Sequence, residues 1–393
     1  MVARRIDAAE RRARLAVRHR HVVEERTDDV LALTDGLVAL HSTDPVSVYL
    51  SAAARMVNPS LTPLDQALYE DRSLVRHHAM RRTLWVFGHE TARLAHHAAT
   101  VGVAKVQRRN TLAMLAAGGI AEPEKWLAAA SDDIVALLSE TGPQPARVIG
   151  ERLPQVAVLV PVGTGKFAST QSAHSRVLLL MGFEGRVMRA RPTGTWINGQ
   201  YRWAATPTWF PDGFGALDAR AAAAGLARRW LAAFGPGTRA DLAWWAGWTV
   251  AVTERALADV GAVEVVVDEG TGFVLPDDVD PPLPAPPSAV LLPGLDPSTM
   301  GWKQRSFHLA DADVPLLFDR NGNGGPTAWV DGRIVGAWHR RADGEIALHL
   351  TADVGAEARA ALETEADALT KLLGEVRFST RFPAPVQAIL GQA

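Results

Sequence analysis

Within five residues, His41-Ser42-Thr43-Asp44-Pro45 places an imidazole, two hydroxyls and a carboxylate, side chains that handle protons and water. The stretch also reads as architecture. Pro45 suits the first turn of a helix and Asp44 its cap, because a carboxylate there accepts orphan backbone N–H groups and complements the dipole. Other apparent motifs fail. Gly165-Lys166 lacks the glycine that a phosphate loop needs where Val160 stands and the Ser or Thr it needs where Phe167 stands. His89-Glu90 is followed by Arg93 where a zincin helix requires His, and the pairs His77-His78 and His96-His97 cannot put two ligands on one helix face. No metal and no cofactor are expected. Trp244, Trp245 and Trp248 are of a type that stacks on bases, but in an apolar helix their spacing favours the core.

These residues need elements to hold them. Apolar spacing predicts helices over 28–40, 46–56 and 63–69, and a strand over 81–87. Thr238 and Asp241 have the spacing of a capping box, opening a helix that Gly247 ends. A second helix is predicted over 249–260, then a hairpin of 263–267 and 273–275, the order of a winged helix-turn-helix. The same order occurs upstream: helices over 146–153 and 175–181, then strands over 186–190 and 200–204. This hairpin carries Arg186, Arg189, Arg191 and Arg202, either a wing laid along phosphates or an ordinary surface hairpin kept soluble by arginine. A proline-rich connector, 277–287, precedes a last region with a type I′ hairpin turn at Asp331-Gly332 and a long helix over 356–373. Five segments are therefore expected: 1–140, 141–236, 237–276, 277–287 and 288–393.

The chain has 393 residues, and its lack of cysteine excludes disulfides, zinc fingers, iron–sulfur clusters and thiol nucleophiles. No apolar run approaches the roughly 20 residues of a membrane span, and the arginine-rich start lacks an apolar signal stretch, so a cytoplasmic protein is expected. The net charge of −2 hides an asymmetry: residues 1–239 hold 30 Lys/Arg against 21 Asp/Glu, and 240–393 hold 11 against 22. Polyanion binding is therefore expected in the first two thirds if it occurs, the alternative being a half that is simply basic and solvated.

Five short motifs occur in a telling order: Leu40-His41-Ser42-Thr43-Asp44-Pro45 with Tyr49, Met80-Arg81-Arg82-Thr83-Leu84, Thr238-Arg239-Ala240-Asp241-Leu242, Gly294-Leu295-Asp296-Pro297 with Gly301-Trp302-Lys303, and Gly324-Gly325-Pro326 with Val330-Asp331-Gly332. In this order and spacing they resemble bacterial winged-helix DNA-binding proteins of the AlkZ/YcaQ type, over almost the whole chain. The resemblance implies an α+β, helix-rich fold of tandem winged helices in a C-shaped scaffold, closed by a C-terminal hairpin and helix region. It also implies a monofunctional DNA glycosylase excising alkylated, bulky or crosslinked purines from duplex DNA, working as a monomer at the nucleoid. The alternative is a non-catalytic DNA-binding or damage-recognition protein.

The departure from the family lies where the chemistry should be. Relatives carry Gln, an apolar residue, then Gln or Asp just before the second helix; here His41, Ser42 and Thr43 stand there, with Asp44 following. Glycosidic cleavage needs a group to orient or deprotonate water and a negative or dipolar group to support the developing oxocarbenium sugar. His41 would hold a water, Asp44 would supply charge, and Thr43 would position a water without acting as a base. A histidine in such a pocket would make activity depend on pH near neutrality. DNA contacts are expected from Arg81, Arg82, Lys166, Arg176 and the hairpin arginines, and in the last third from Lys303, Arg305, Asn321 and Asn323.

Overall fold

The computed structural model describes residues 3–162 and 169–392. They form two compact units, one of residues 66–223 and one in which 1–65 packs with 224–393. The divisions fall at 65 and 223 rather than at 140 and 236, for a reason that lies in the first helix. Ala8–Arg18 is capped by Asp7, whose carboxylate accepts the Glu10 N–H at 2.8 Å. Its arginines then pair with acids far along the chain: Arg11 with Glu269 at 2.6 Å, Arg14 with Asp278 at 2.6 Å, and Arg18 also with Asp278. Opposite charges some 260 positions apart in sequence thus staple one unit together. The surplus of positive charge consequently lies elsewhere. Residues 66–223 hold 18 Lys/Arg against 12 Asp/Glu, and the other unit 23 against 31.

Within the discontinuous unit, Thr238 and Asp241 form the expected capping box, with the Asp241 N–H donating to Thr238 Oγ1 at 3.1 Å and the Thr238 N–H to Asp241 Oδ2 at 3.0 Å. The helix Arg239–Ala246 ends at Gly247, whose φ of 74° is left-handed, and Thr249 caps the next helix, Val250–Asp259. Strands Val263–Val267 and Gly270–Val274 pair antiparallel, with Gly237–Thr238 added at the edge. Further on, strands Ala289–Leu292, Thr327–Val330, Arg333–Arg340 and Ile346–Leu350 form an antiparallel sheet in that order. Asp331 and Gly332 turn it with φ of 47° and 71°, both positive as a type I′ turn requires. The helix Gly355–Leu373 packs on Ala289–Leu292.

In the 66–223 unit, strands Leu84–Gly88, Leu74–His78, Val187–Pro192 and Tyr201–Ala205 are hydrogen-bonded antiparallel in that order. The helices Pro123–Thr141 and Ala173–Phe183 bury Leu127, Ile134, Val177 and Met181 against Trp203. The helices Pro123–Thr141 and Val101–Ala117 leave little periodic signal in the sequence, because alanine supplies much of their apolar content and blurs the stripe.

Two boundaries move by local backbone geometry. The strand expected over 81–87 begins only at Leu84, since Arg81 and Arg82 turn the chain with φ of 55° and 62°. The helix expected over 28–40 spans Val30–Gly36, and Val38, at φ 66°, releases Leu40–His41 as an extended pair. The structure therefore delivers His41 on extended chain and Asp44 at a helix start.

Candidate active site

Asp44 is the N-cap of the helix Pro45–Ala53, accepting the Val46 N–H at 3.1 Å. It is 7 % exposed, His41 6 % and Ser42 fully buried. The Thr43 N–H approaches His41 Nδ1 at 3.5 Å, too long for a strong bond. Thr43 Oγ1 is different: it is buried and has no hydrogen-bond partner among the described residues. A buried hydroxyl left so costs about 1–3 kcal/mol unless something occupies the space beside it. Burial pushes the Asp44 carboxyl above its ordinary value, and the N–H groups of Val46 and Arg381 and the Arg381 charge counter only part of that. The motif therefore holds a carboxyl raised by burial and, on the neighbouring residue, a buried hydroxyl without a partner among the described residues.

The helix behind this motif is locked in register from one face. Ser47, Ser51 and Arg55 lie four residues apart and meet the 294–298 segment: Ser47 Oγ donates to the Gly294 carbonyl at 2.5 Å, and Ser51 Oγ to Asp296 Oδ2 at 2.6 Å. Arg55 completes the set with bonds of 2.8 Å to both Asp296 oxygens. It also donates to Ser298 Oγ, which lies 2.8 Å from His19 Nδ1 and 3.0 Å from His21 Nε2. Burial alone would raise the Asp296 carboxyl, but the Arg55 charge and bonds, Ser51 and the Ser298 N–H outweigh it and hold it below 3.8. Close backbone approach brings the Leu295 N–H to the Gly324 carbonyl at 3.0 Å, and a side chain at Gly294 would crowd that oxygen. On the opposite side, the Tyr49 hydroxyl donates to Asp65 at 2.9 Å.

The residues expected to contact DNA occupy unlike settings. Arg186 pairs with Asp132 at 2.6 Å, and Arg191 with Glu70 at 2.8 Å. The Val187–Pro192 strand that follows Arg186 and carries Arg191 is bonded on both sides, so it lies inside a sheet rather than in a free wing. Arg189 instead lies over the Trp203 ring at 3.6 Å. Arg82, Arg176 and Lys303 are exposed, Arg81 and Arg202 half-buried. Lys166 lies outside the described residues. Arg305 is packed inward, donating to the Thr299 carbonyl at 3.0 Å with its guanidinium 4.9 Å from the Phe318 ring. Burial lowers its pKa to about 10. Asn321 is exposed, but the Asn323 amide is spent on Asp319 at 2.9 Å. Sequence reasoning missed Arg55, Ser47, Ser51, His19 and Arg381; Asp296, inside a quoted motif, was the one signal. Among the described residues no three metal-ligating side chains converge.

The 41–44 motif thus places a capping carboxylate next in sequence to a buried hydroxyl that has no partner among the described residues, on a helix-rich α+β scaffold with small antiparallel sheets. The chain belongs to the DNA glycosylase AlkZ-like family, whose model matches residues 34–372. That membership makes it an enzyme of the DNA glycosylase type and bears out the resemblance read from its motifs. Among curated proteins nothing matches. Among solved structures, the Streptomyces sahachiroi DNA glycosylase AlkZ is similar, with a TM-score of 0.69 and 19 % identity over 96 % of this chain and 99 % of that one. At that identity the likeness speaks for the fold. No helix among the described residues is long and apolar enough to cross a membrane.

Proposed function

We propose that the chain releases alkylated or bulky-adducted purines, including crosslinked ones, from duplex DNA by hydrolysis of the N-glycosidic bond at the 41–44 motif. The observation that carries this is the buried Thr43 hydroxyl without a partner beside the capping Asp44. Thr43 and His41 hold a water, and Asp44 supports the positive charge that grows on the sugar as the base departs. An alkylated purine that already carries positive charge leaves as a neutral base, so no general acid is needed. The water adds to the sugar carbon, and its proton passes to Asp44 or solvent. The departure from the relatives' Gln motif is then a substitution of water-holding groups, with the carboxylate one position later.

The basic surplus of residues 66–223 supports DNA contact there, with Arg81, Arg82, Arg176 and Arg202 offered to phosphates. Lys166, Lys303 and Asn321 extend that set, and a single chain on nucleoid DNA is the working unit. The test is incubation with duplexes holding 7-methylguanine, 3-methyladenine or a defined crosslink, with release of free base as the readout. Binding without release from any of them would leave a damage-recognition protein. Activity appearing only after Gln is placed at positions 41 and 43 would say the same.

A further inference from the structure

Along Val187–Arg189 the side chains alternate between faces, so Val187 and Arg189 share one, before a bulge between Arg189 and Pro192 breaks the register. On that face Arg189 stands opposite Trp203 on one neighbouring strand and Arg76 on the other. Two guanidiniums in adjacent rows of a sheet are normally separated by an acid, since burying like charges side by side is costly. Arg186 and Arg191 follow that expectation with Asp132 and Glu70. Arg189 does not: among the described residues no carboxylate pairs with it, and its Nε is buried without a partner.

The neighbours are donors too. The Tyr201 hydroxyl is buried and has no hydrogen-bond partner among the described residues. The Arg76 guanidinium lies 4.7 Å from the Tyr201 ring and donates to the Tyr69 hydroxyl. His78, two residues beyond Arg76 on the same face, is buried, and among the described residues neither ring nitrogen has a hydrogen-bond partner. Arg189, a buried guanidinium with no carboxylate paired to it among the described residues, next to a hydroxyl able to donate, suits a group that brings several lone pairs and negative charge, and the Arg fork matches the geometry of a tetrahedral oxyanion.

We propose that Arg189, with the Tyr201 hydroxyl, forms a recessed seat for one phosphate group, which in the working protein is a phosphodiester of the bound DNA strand. The seat itself stands on its geometry, and only the owner of the phosphate rests on the DNA reading. Trp203 lies under the guanidinium plane and fixes it, leaving the edge of the fork for the anion. Arg189 is thus set apart from the acid-paired arginines beside it as a phosphate contact prepared before DNA arrives.

Wild type, Arg189→Met and Tyr201→Phe are compared for binding of an intact duplex over a range of salt, and for thermal unfolding in inorganic phosphate against chloride of equal ionic strength. Arg189→Met is expected to flatten the slope of log K against log salt by about 0.9, the share of one phosphate contact. Tyr201→Phe, which removes only the hydroxyl, should weaken binding several-fold with the slope unchanged. Inorganic phosphate should raise the wild-type Tm above the chloride control and leave Arg189→Met unmoved. If phosphate stabilises but both variants bind duplex like wild type, DNA is not the owner and the seat serves a small phosphate ligand. If neither phosphate nor DNA distinguishes wild type from the variants, Arg189 is a structural cation on Trp203 and the proposal is overturned. Should Arg189→Met fail to fold, Tyr201→Phe alone decides. Base release from damaged duplex, measured on the same wild-type protein, reports on the glycosylase reading separately.

Discussion

Arg55 and Asp296 face each other through two parallel hydrogen bonds of 2.8 Å with both side chains fully buried. The pair ties the far end of the Pro45–Ala53 helix to the 294–298 segment, so the position of Asp44 depends on residues some 250 positions away in sequence.

Asp296→Asn keeps the shape and removes the charge, leaving Arg55 buried without its counter-ion. Chemical denaturation should show a loss of about 3–5 kcal/mol. A loss under about 1 kcal/mol would mean that the serines and histidines around the pair hold the segment without it.

Asp44→Asn retains an oxygen for the Val46 N–H, so stability should stay close to wild type while base release falls on the order of 10²-fold. His41→Ala should lower release by a similar factor with DNA affinity nearly constant. Equal release by wild type and Asp44→Asn would reduce Asp44 to a cap.

Thr43→Val tests the hydroxyl from the other direction. Removing a buried polar atom that has no partner among the described residues should leave stability unchanged or raise it by up to about 1 kcal/mol, while release falls at least about tenfold if that atom holds the water. Unfolding midpoints and single-turnover release on one preparation give both numbers.

Release should also fall on acidification through the raised pKa of Asp44, since the carboxylate is the useful form. The acidic limb lies above the ordinary Asp value of 3.8 and should vanish from the residual activity of Asp44→Asn. A limb unchanged in that variant assigns it to another group.

Stability should fall with acid as well. Burial first, and then the Arg55 charge, lowers His19 from 6.5 to about 3, so below pH 6.5 the unfolded chain binds a proton that the folded one refuses. Its contribution is full above that pH and declines as pH falls towards the folded value, by about 2 kcal/mol at pH 5. His78, lowered to about 3 by burial and the Arg189 charge, acts in the same sense. A Tm flat between pH 7 and 5 would contradict this.

Local chemistry alone was enough for several features: the Thr238–Asp241 capping box, Gly247 as a helix stop, the Asp331-Gly332 turn, and Asp44 as a cap. Each depends on backbone groups within a few residues, so the pattern carries the geometry. The family was legible for a similar reason, because its motifs keep their order along the chain. Other features needed the fold. Whether the arginines of 186–202 are free or neutralised depends on acids such as Asp132 and Glu70, which come from other elements. The Arg81-Arg82 strand start failed because a tight turn between paired strands overrode β-propensity. Arg55 gave no sign of its role in an alanine-rich stretch, and the N-terminal arginines counted as polyanion-binding charge until Glu269 and Asp278 closed on them. Charge count is a property of sequence, but the free charge, like the unpartnered hydroxyl at Thr43, is set by long-range contacts that only tertiary packing makes.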